Sequence, residues 1–376
     1  MSTCDVKRAI ACSIATQSND VRYNLDECKA LAKTAGIYVL RYFYQNREKS
    51  HPKLYLGSGK IEEIKAYIDA ECISIFIADD ELSPLQQRSL EQALGIQVLD
   101  RTALVLDIFA SRAKTHEAKL QVEYAQLAYL KPRLTRLWTH LSRLGGGIGT
   151  RGPGETQLEV DKRLINKRMS VLRKGIEKVK KNRFLQRKNR SNIIRGAIVG
   201  YTNSGKSTLL NQLTTANVMA ENKPFATLDP TTRKLWLAQD RNLLLTDTVG
   251  FIHKLPHQLI DAFQSTLEEA KEADLLIHVL DASSPYFNYH FQVANQLLDE
   301  LQMLQKPTLI LLNKIDQVKD ISLLNHFIKG KENVLCVSAN NRSHTATIRE
   351  RLLAFLNEIY PLPEIKEALP FETQVL

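Results

Sequence analysis

The stretch IIRGAIVGYTNSGKST, residues 193–208, decides the fold of this chain. Its first half is a short apolar run that predicts a buried strand, and the TLLNQL that begins at its last residue predicts a helix. Between the two lies Gly200-x-x-x-x-Gly205-Lys206-Ser207, whose glycines allow backbone N–H groups to converge on phosphate. We therefore expect a phosphate-binding loop in which Lys206 reaches the β and γ phosphates and the Ser207 hydroxyl binds Mg²⁺.

Two further segments predict the γ-phosphate side of the same site. NLLLTDTVG ends a predicted strand with Asp247, a magnesium carboxylate, and continues to Gly250, whose N–H can meet the γ phosphate. The preceding loop, KPFATLDPTTR, contains three threonines, and a hydroxyl from one of them is needed at the metal. Spacing alone leaves Thr227, Thr231 and Thr232 as alternatives.

The next two motifs predict recognition of the base. TLILLNKID ends a strand with Asn313, Lys314 and Asp316, whose carboxylate can accept two hydrogen bonds from guanine that adenine does not offer. VLCVSAN then places Ser338 and Ala339 on a loop beside the base. Four motifs in this order at strand ends predict a site for GTP and GDP.

The charge of the chain is concentrated in one segment. The sequence has 51 Lys+Arg against 41 Asp+Glu, a formal charge of +10. Residues 162–195 contain 14 basic residues and one acid, Glu177, so this segment carries +13 and the rest of the chain −3. Residues 131–154 add five basic residues and no acid. We predict polyanion binding, with a solvated helix face as the alternative.

The first hundred residues predict a small α/β domain. Short β-branched runs alternate with helical periodicity, which is typical of a largely parallel sheet. The expected strands are 8–15, 38–44, 73–78 and 97–99, and the expected helices are 23–35, 60–70 and 84–94. GSGK at 57–60 has Leu54 where the first glycine of a phosphate loop would stand, so we interpret it as a turn and helix cap.

Two helical runs follow, near 102–130 and 159–185, with LGGGIGTRGPGE between them. Six of the chain's 16 glycines fall within residues 145–154. This pattern predicts a helical hairpin with a mobile glycine tip, the alternative being a plain linker. Pro132 should kink or break the first run.

Several classes of protein are excluded by composition. No apolar run approaches the roughly 18 residues of a membrane span, and charge interrupts the start where a signal peptide would be apolar. The five cysteines are scattered, which argues against a disulfide framework and a zinc site. We expect a cytosolic protein without a membrane span, monomeric when free.

FATLDPTTR, DTVGF, NKID and RLGGGIGTRGPGETQLEVDKRLI together resemble the HflX family of ribosome-associated GTPases. ELSPLQQRSLE and LDRTALVLDIFASRAKTHEAKLQVEYAQL resemble it too, so the resemblance runs from about residue 8 to 360. It implies that Thr227 is the magnesium threonine and that the large ribosomal subunit and its rRNA are the partners. It also implies that the helical arm reaches towards the peptidyl-transferase centre and that stalled ribosomes are split.

Two residues and the length of the C-terminal segment qualify this resemblance. Phe251 follows Asp-x-x-Gly where Ras-type enzymes carry a water-orienting glutamine, which implies slow intrinsic turnover and catalytic help from elsewhere. Asn203 stands where related potassium-activated GTPases ligate K⁺, which suggests potassium as that help, the alternative being a hydrogen bond within the loop. Only about 16 residues follow Tyr360, whereas many members carry a further C-terminal domain.

The sequence thus predicts an α/β protein with a Ras-like G domain joined to a small N-terminal α/β domain by a basic helical arm. The expected boundaries are 1–105 for the N-terminal domain, 106–190 for the arm, 191–360 for the G domain and 361–376 for a tail. The expected activity is GTP hydrolysis, stimulated by ribosomes. Two alternatives remain, an RNA-binding scaffold with the G domain as nucleotide sensor and, with less support, a tRNA-modifying GTPase.

The predicted site residues fall into three sets. Lys206, Thr227 and Gly250 are the catalytic candidates, and Ser207, Thr227 and Asp247 are the metal ligands. The predicted nucleotide contacts are Gly200, Tyr201, Thr202, Asn203, Ser204, Gly205, Lys206, Ser207, Thr208, Phe225, Ala226, Thr227, Leu228, Asp229, Asp247, Thr248, Val249, Gly250, Asn313, Lys314, Ile315, Asp316, Ser338, Ala339 and Asn340.

Overall fold

The structure, a computed structural model, describes most of the chain. The described residues are 7–15, 21–137, 153–188, 193–214, 223–239, 241–254, 264–318 and 320–361. The predicted glycine tip lies outside them, except for Pro153 and Gly154, which begin a helix. The tail after residue 361 lies outside them as well.

The N-terminal part is a parallel sheet of four strands in the order β2-β1-β3-β4. Its strands are β1 (Lys7–Ala15), β2 (Ile37–Asn46), β3 (Ile75–Ala78) and β4 (Gln97–Asp100). Its helices are α1 (Val21–Thr34), α2 (Ser58–Glu71) and α3 (Pro84–Leu94). The predicted alternation of strands and helices is confirmed, and α2 begins at the GSGK turn. A capping box between Ser83 and Gln86 sets the start of α3.

The first predicted helical run is two helices, α4 (Arg101–Arg112) and α5 (His116–Leu137). The break falls at Thr115, whose hydroxyl accepts a hydrogen bond from the N–H of Ala118 at 3.1 Å and so caps α5. Of the two predicted effects of Pro132, a kink or a break, the break is wrong, because α5 contains Pro132 and continues to Leu137. The next residue, Arg133, donates to the carbonyl of Leu82 at 2.8 Å and pairs with Asp100, which holds α5 on the N-terminal domain past the proline.

The arm is an antiparallel helix pair, in which α5 packs on α6 (Pro153–Lys188). Partners run in opposite directions along the two helices, since Glu117 pairs with Arg183 whereas Glu123, further along α5, pairs with Arg168. Between these pairs Gly175 lies so close to α5 that a Cβ there would stand 3.2 Å from a methyl carbon of Leu120.

The G domain is a six-stranded sheet in the order β10-β9-β8-β5-β7-β6, parallel except where β6 pairs with β7. Its strands are β5 (Ile194–Val199), β6 (Thr231–Ala238), β7 (Arg241–Asp247), β8 (Leu275–Asp281), β9 (Thr308–Asn313) and β10 (Val334–Cys336). Its helices are α7 (Lys206–Leu213), α8 (Gln264–Lys271), α9 (Phe287–Glu300), α10 (Ser322–Ile328) and α11 (Arg342–Ile359). The predicted fold class is confirmed.

One of the apolar clusters is shared by the two sheets. Phe109 of α4, Phe225 of the loop before β6, Phe251 after β7 and Leu297 of α9 all belong to the same cluster of buried side chains. The N-terminal part therefore lies directly against the loops that surround the predicted nucleotide site. Among the described helices, none has the length and apolar character that crossing a membrane requires.

Candidate nucleotide and metal site

The loop between β5 and α7 can be built only with glycine at its two motif positions. Gly200 and Gly205 have φ values of 145° and 98°, a region that favours glycine. A Cβ on Gly200 would stand 2.2 Å from the carbonyl oxygen of Val279, and a Cβ on Gly205 would stand 2.2 Å from the Asn313 side-chain nitrogen. The spacing of the motif thus reflects two close approaches of backbone to β8 and β9.

Lys206 lies inside this loop as an ammonium that binds backbone carbonyls. Its Nζ donates to the carbonyl oxygens of Gly200 at 3.2 Å and Tyr201 at 2.8 Å, and the residue is 6% exposed. Burial lowers the pKa of Lys206 to about 8, although the charge of Asp247 opposes the shift. A Cβ on Gly250 would stand 2.8 Å from the same Nζ, so glycine there keeps the space around the ammonium open.

The three predicted metal ligands lie together. The Ser207 hydroxyl donates to Oδ2 of Asp247 at 2.6 Å and lies 2.6 Å from the Thr227 hydroxyl. Thr231 and Thr232 belong to β6, and the hydroxyl of Thr232 is bound to Thr246 instead. Of the three threonines, Thr227 is therefore the one placed beside Ser207.

The chemistry of this oxygen cluster fits Mg²⁺. Oδ1 of Asp247 is buried and has no hydrogen-bond partner among the described residues. Burial raises the pKa of Asp247, while nearby Lys206 and the Ser207 hydroxyl oppose the shift. Hydroxyl and carboxylate oxygens are the ligands that Mg²⁺ prefers, and a cation would satisfy the orphaned oxygen.

Asn313 joins the phosphate loop to the predicted base-binding loop. Its side-chain nitrogen donates to the carbonyl of Ser204, and its side-chain oxygen accepts from the N–H of Ala339, both at 2.8 Å. Lys314 donates to the carbonyl of Asn203 at 2.8 Å. The Asp316 carboxylate is exposed, and hydrogen bonding to Ser338 lowers its pKa, so it is ionised and accessible for a base.

These elements enclose a cavity of about 320 Å³. Most of the predicted contact residues that line it come from the phosphate loop and the segment around Thr227. The lining consists of Thr202, Asn203, Gly205, Lys206, Ser207, Thr208, Lys223, Phe225, Ala226, Thr227, Thr248, Gly250, Lys314, Gln317 and Asn340. Lys223 and Gln317 were not predicted as contacts, although Lys223 begins the quoted KPFATLDPTTR loop and Gln317 directly follows Asp316, and this closeness in sequence is the signal that would have found them.

Several predicted contacts direct their side chains away from the cavity, among them Leu228, Val249 and Ala339, which are buried in apolar clusters. The Tyr201 hydroxyl is hydrogen-bonded to Tyr23 and Glu27 of α1, and Asp229 accepts from backbone N–H groups at the start of α5. Both side chains are drawn to the N-terminal half of the molecule, which motif reasoning on the G domain alone did not consider.

Phe251 has a structural position. It is 2% exposed, its carbonyl accepts from the N–H of Thr202 at 2.8 Å, and its N–H donates to the carbonyl of Gly200 at 3.0 Å. The residue after Asp-x-x-Gly therefore ties this segment to the phosphate loop, and its side chain has no group with which to orient water.

Comparison with family models divides the chain into three matched regions. A model described as "GTP-binding GTPase N-terminal" matches residues 22–110, and one described as "GTP-binding GTPase Middle Region" matches residues 112–190. A third, described as "50S ribosome-binding GTPase", matches residues 195–314.

Whole-chain relatives agree with these matches. The chain is 52% identical to a GTPase HflX of Lacrimispora saccharolytica, over 82% of this chain and 74% of the relative. It is 42% identical to a GTPase HflX of Flavobacterium psychrophilum, over 95% and 92%. Among solved structures, SsGBP in complex with GDP is similar at a TM-score of 0.52 and 28% identity, over 94% of this chain and 99% of that one. The chain belongs to the HflX family of GTPases and is a GTP-hydrolysing enzyme.

Proposed function

We propose that this GTPase binds the large ribosomal subunit through its rRNA when GTP is bound, and that it splits or rescues stalled ribosomes. The observation that carries the proposal is the basic surface of α6, supported by the 50S-binding description of the G-domain model. Lys174, Lys178 and Lys181 are exposed along this helix. Clustered lysines of this kind bind phosphate backbones by releasing condensed counterions.

Only part of the basic excess serves this purpose. Lys180 pairs with Glu268 of α8, and Arg183 pairs with Glu117 of α5 and Glu269 of α8. These residues hold the arm against the G domain, so the exposed lysines are the ones available to RNA.

For hydrolysis, Ser207, Thr227 and Asp247 would hold Mg²⁺, which neutralises charge on the β and γ phosphates when bound. Lys206 supplies a second positive charge, and the N–H of Gly250 is placed to meet the γ phosphate. Because Phe251 cannot orient water, we expect slow basal turnover that the ribosome stimulates.

Potassium is a further candidate for the missing charge, on the side of Asn203. The Asn203 residue is exposed and lines the cavity, with a φ of 62°. A cation there would act as an arginine finger does. Equal turnover in potassium chloride and sodium chloride would show instead that Asn203 only shapes the loop.

The test of the function is light scattering of 70S ribosomes mixed with the protein. The proposal expects scattering to fall with a non-hydrolysable GTP analogue and to stay constant with GDP. The RNA-binding scaffold expects equal binding in both nucleotide states and no splitting, and that result would overturn the proposal. With ribosomes as its partner, the protein would act in the cytoplasm, as a monomer before binding.

A further inference from the structure

The helix α4 contacts both segments that surround the γ-phosphate position. Its first residue, Arg101, reaches the segment after Gly250, and Phe109 near its end reaches the segment around Thr227. The residues that follow α4 contact the same segment and begin α5 of the arm. One helix of the N-terminal half thus connects the two loops with the arm.

At the first end, a buried Arg101 holds one peptide group of the G domain. Its side chain is 2% exposed, pairs with Glu27 and with Asp79 at 2.7 Å, and donates to the carbonyl of His253 at 2.8 Å. The N–H of His253 donates to the Tyr201 hydroxyl at 2.6 Å. His253, two residues beyond Phe251, is therefore fixed at both its N–H and its carbonyl.

Lys254, which follows His253, adds a second contact between the G domain and the N-terminal domain, closer to the surface. Lys254 has a φ of 52° and pairs with Asp80 and, at 3.7 Å, with Asp79. Asp80 is held in turn by the Tyr55 hydroxyl at 2.6 Å. The carboxyl end of β3 thus presents two carboxylates to cations from both sides of the domain boundary.

At the other end, the ring of Phe109 meets the ring of Phe225 edge-to-face, with centroids 4.6 Å apart. Asp229 accepts from the N–H groups of Lys114 at 3.0 Å and Thr115 at 3.2 Å, and from the Thr115 hydroxyl. Phe225 and Asp229 lie two residues before and two residues after the metal-site threonine. The segment that carries that threonine is therefore attached on both sides to the end of α4 and to the junction between α4 and α5.

We propose that α4 is a positioning element that links the two γ-phosphate loops, so that each loop adopts its GTP conformation only when the other does, and that it passes this state to the arm. Arg101 and Phe109 are positioning residues in this scheme, because neither is among the residues that line the cavity. The inference rests on the proposed function only for the role of the arm, since the linkage between the loops is a property of the GTPase alone.

The test is a double-mutant cycle on the full chain without ribosomes. Arg101→Lys keeps the charge but removes the planar fork, and Phe109→Leu removes the edge-to-face contact. Each variant should lower the ratio of affinities for a GTP analogue and for GDP about fivefold, and the double variant should lower it no further. Arg101 and Phe109 are eight residues apart, about 12 Å along a helix, where independent effects normally add. If the double variant lowered the affinity ratio about twenty-five-fold, the two effects would be independent and the linkage would be overturned. Single variants that leave the ratio unchanged would overturn it as well.

A matched control separates positioning from simple loss of stability. Leu90→Ala empties a buried site on the opposite face of the N-terminal sheet, in a cluster without G-domain residues. It should lower the unfolding temperature and leave the affinity ratio unchanged. If Arg101→Lys does not fold, Lys254→Gln takes its place in the cycle, and the same coupled or additive outcome decides the proposal.

Discussion

The two sheets of this molecule have the same parallel α/β construction but use the carboxyl ends of their strands differently. In the G domain these ends carry the glycine loop, Asp247 and Asn313 around an open cavity. In the N-terminal domain β3 leads directly into Asp79, β4 ends in Asp100, and protein cations occupy these carboxylates. Parallel sheets commonly bind ligands at this edge.

The difference shows how one architecture serves two purposes. In the G domain the glycines remove side-chain bulk, and Oδ1 of Asp247 has no partner among the described residues, so a ligand is needed to complete the edge. In the N-terminal domain Arg101 and Lys254 pair with the carboxylates from within the chain, and Oδ2 of Asp79, which has no hydrogen bond among the described residues, lies 3.7 Å from the Lys254 ammonium. The first edge is thus a binding site, and the second is a contact for the loops of the first.

The largest effect is expected from closing the G-domain edge with a methyl group. Gly200→Ala would place Cβ against the backbone oxygen of Val279, so the loop would have to change its conformation. We expect a loss of about 4 kcal/mol in the free energy of GDP binding, which corresponds to roughly 1000-fold weaker binding. Gly36→Ala is the control, because Gly36 also has positive φ but no atom within 4 Å. We expect it to cost about 1 kcal/mol of stability and leave binding unchanged. Fluorescence titration with labelled GDP measures binding by both variants, and near-normal binding by Gly200→Ala would contradict the role given to this loop.

Base recognition should depend on Asp316. In Asp316→Asn a side-chain donor can face the guanine donors, which should cost about 2 to 4 kcal/mol of GTP affinity and improve binding of xanthosine triphosphate. Competition titrations with the two nucleotides measure the change in their relative affinities. Unchanged GTP affinity would remove the basis for assigning guanine specificity to this carboxylate.

Acid should destabilise the fold, through His253 and His290 at the boundary between the two sheets and through His278 on β8 inside the G-domain sheet. Burial lowers the pKa of His253, His278 and His290 to about 4, below the unfolded value near 6.5. The unfolded chain therefore binds more protons, and stability falls as pH drops from about 6.5 towards 4, by about 1.4 kcal/mol per pH unit for each histidine. Asp79 partly offsets the loss, because burial raises its pKa to about 6.

Substitution of His278, which is buried, measures the contribution of one histidine to the pH dependence of the free energy of unfolding. Denaturant unfolding between pH 6 and pH 5 should give a shallower slope for His278→Gln than for the unchanged protein, by at most about 1.4 kcal/mol per pH unit. Identical slopes would mean that His278 titrates equally in both states.

The smallest effect is expected at the surface of the arm. Replacing Lys174, Lys178 and Lys181 with glutamine should reduce the slope of log affinity against log salt for the large subunit, by about 0.7 to 0.9 for each phosphate that is no longer neutralised. The control changes the same charge at three exposed lysines of the N-terminal domain, Lys29, Lys53 and Lys65. Equal slopes for both triple variants would identify the α6 lysines as a solvated face.

The sequence predicted those features that depend on local pattern. The alternation of strands and helices, the glycine loop and the grouping of Ser207, Thr227 and Asp247 follow from motifs at strand ends, although the choice of Thr227 required the family resemblance. The helix continuing past Pro132 was missed, because the anchor that holds it, Arg133 on Leu82 and Asp100, joins residues distant in sequence.

Interactions between the two halves were beyond prediction for the same reason. The side chain of Arg183 appeared as one of many basic residues, whereas it forms structural ion pairs with Glu117 and Glu269. Arg101 binds the carbonyl of His253, which lies 152 positions further along the chain, and no local pattern marks such a pairing.

The central claim is that the nucleotide state of the G domain controls work on the large ribosomal subunit. The most direct measurement is steady-state GTP hydrolysis by the full chain alone, with isolated small subunits, with isolated large subunits and with 70S ribosomes. We expect slow turnover alone and with small subunits, and turnover at least about tenfold faster with large subunits and 70S ribosomes, since the water-orienting group is missing at Phe251. Turnover that is the same in all four conditions would contradict the claim.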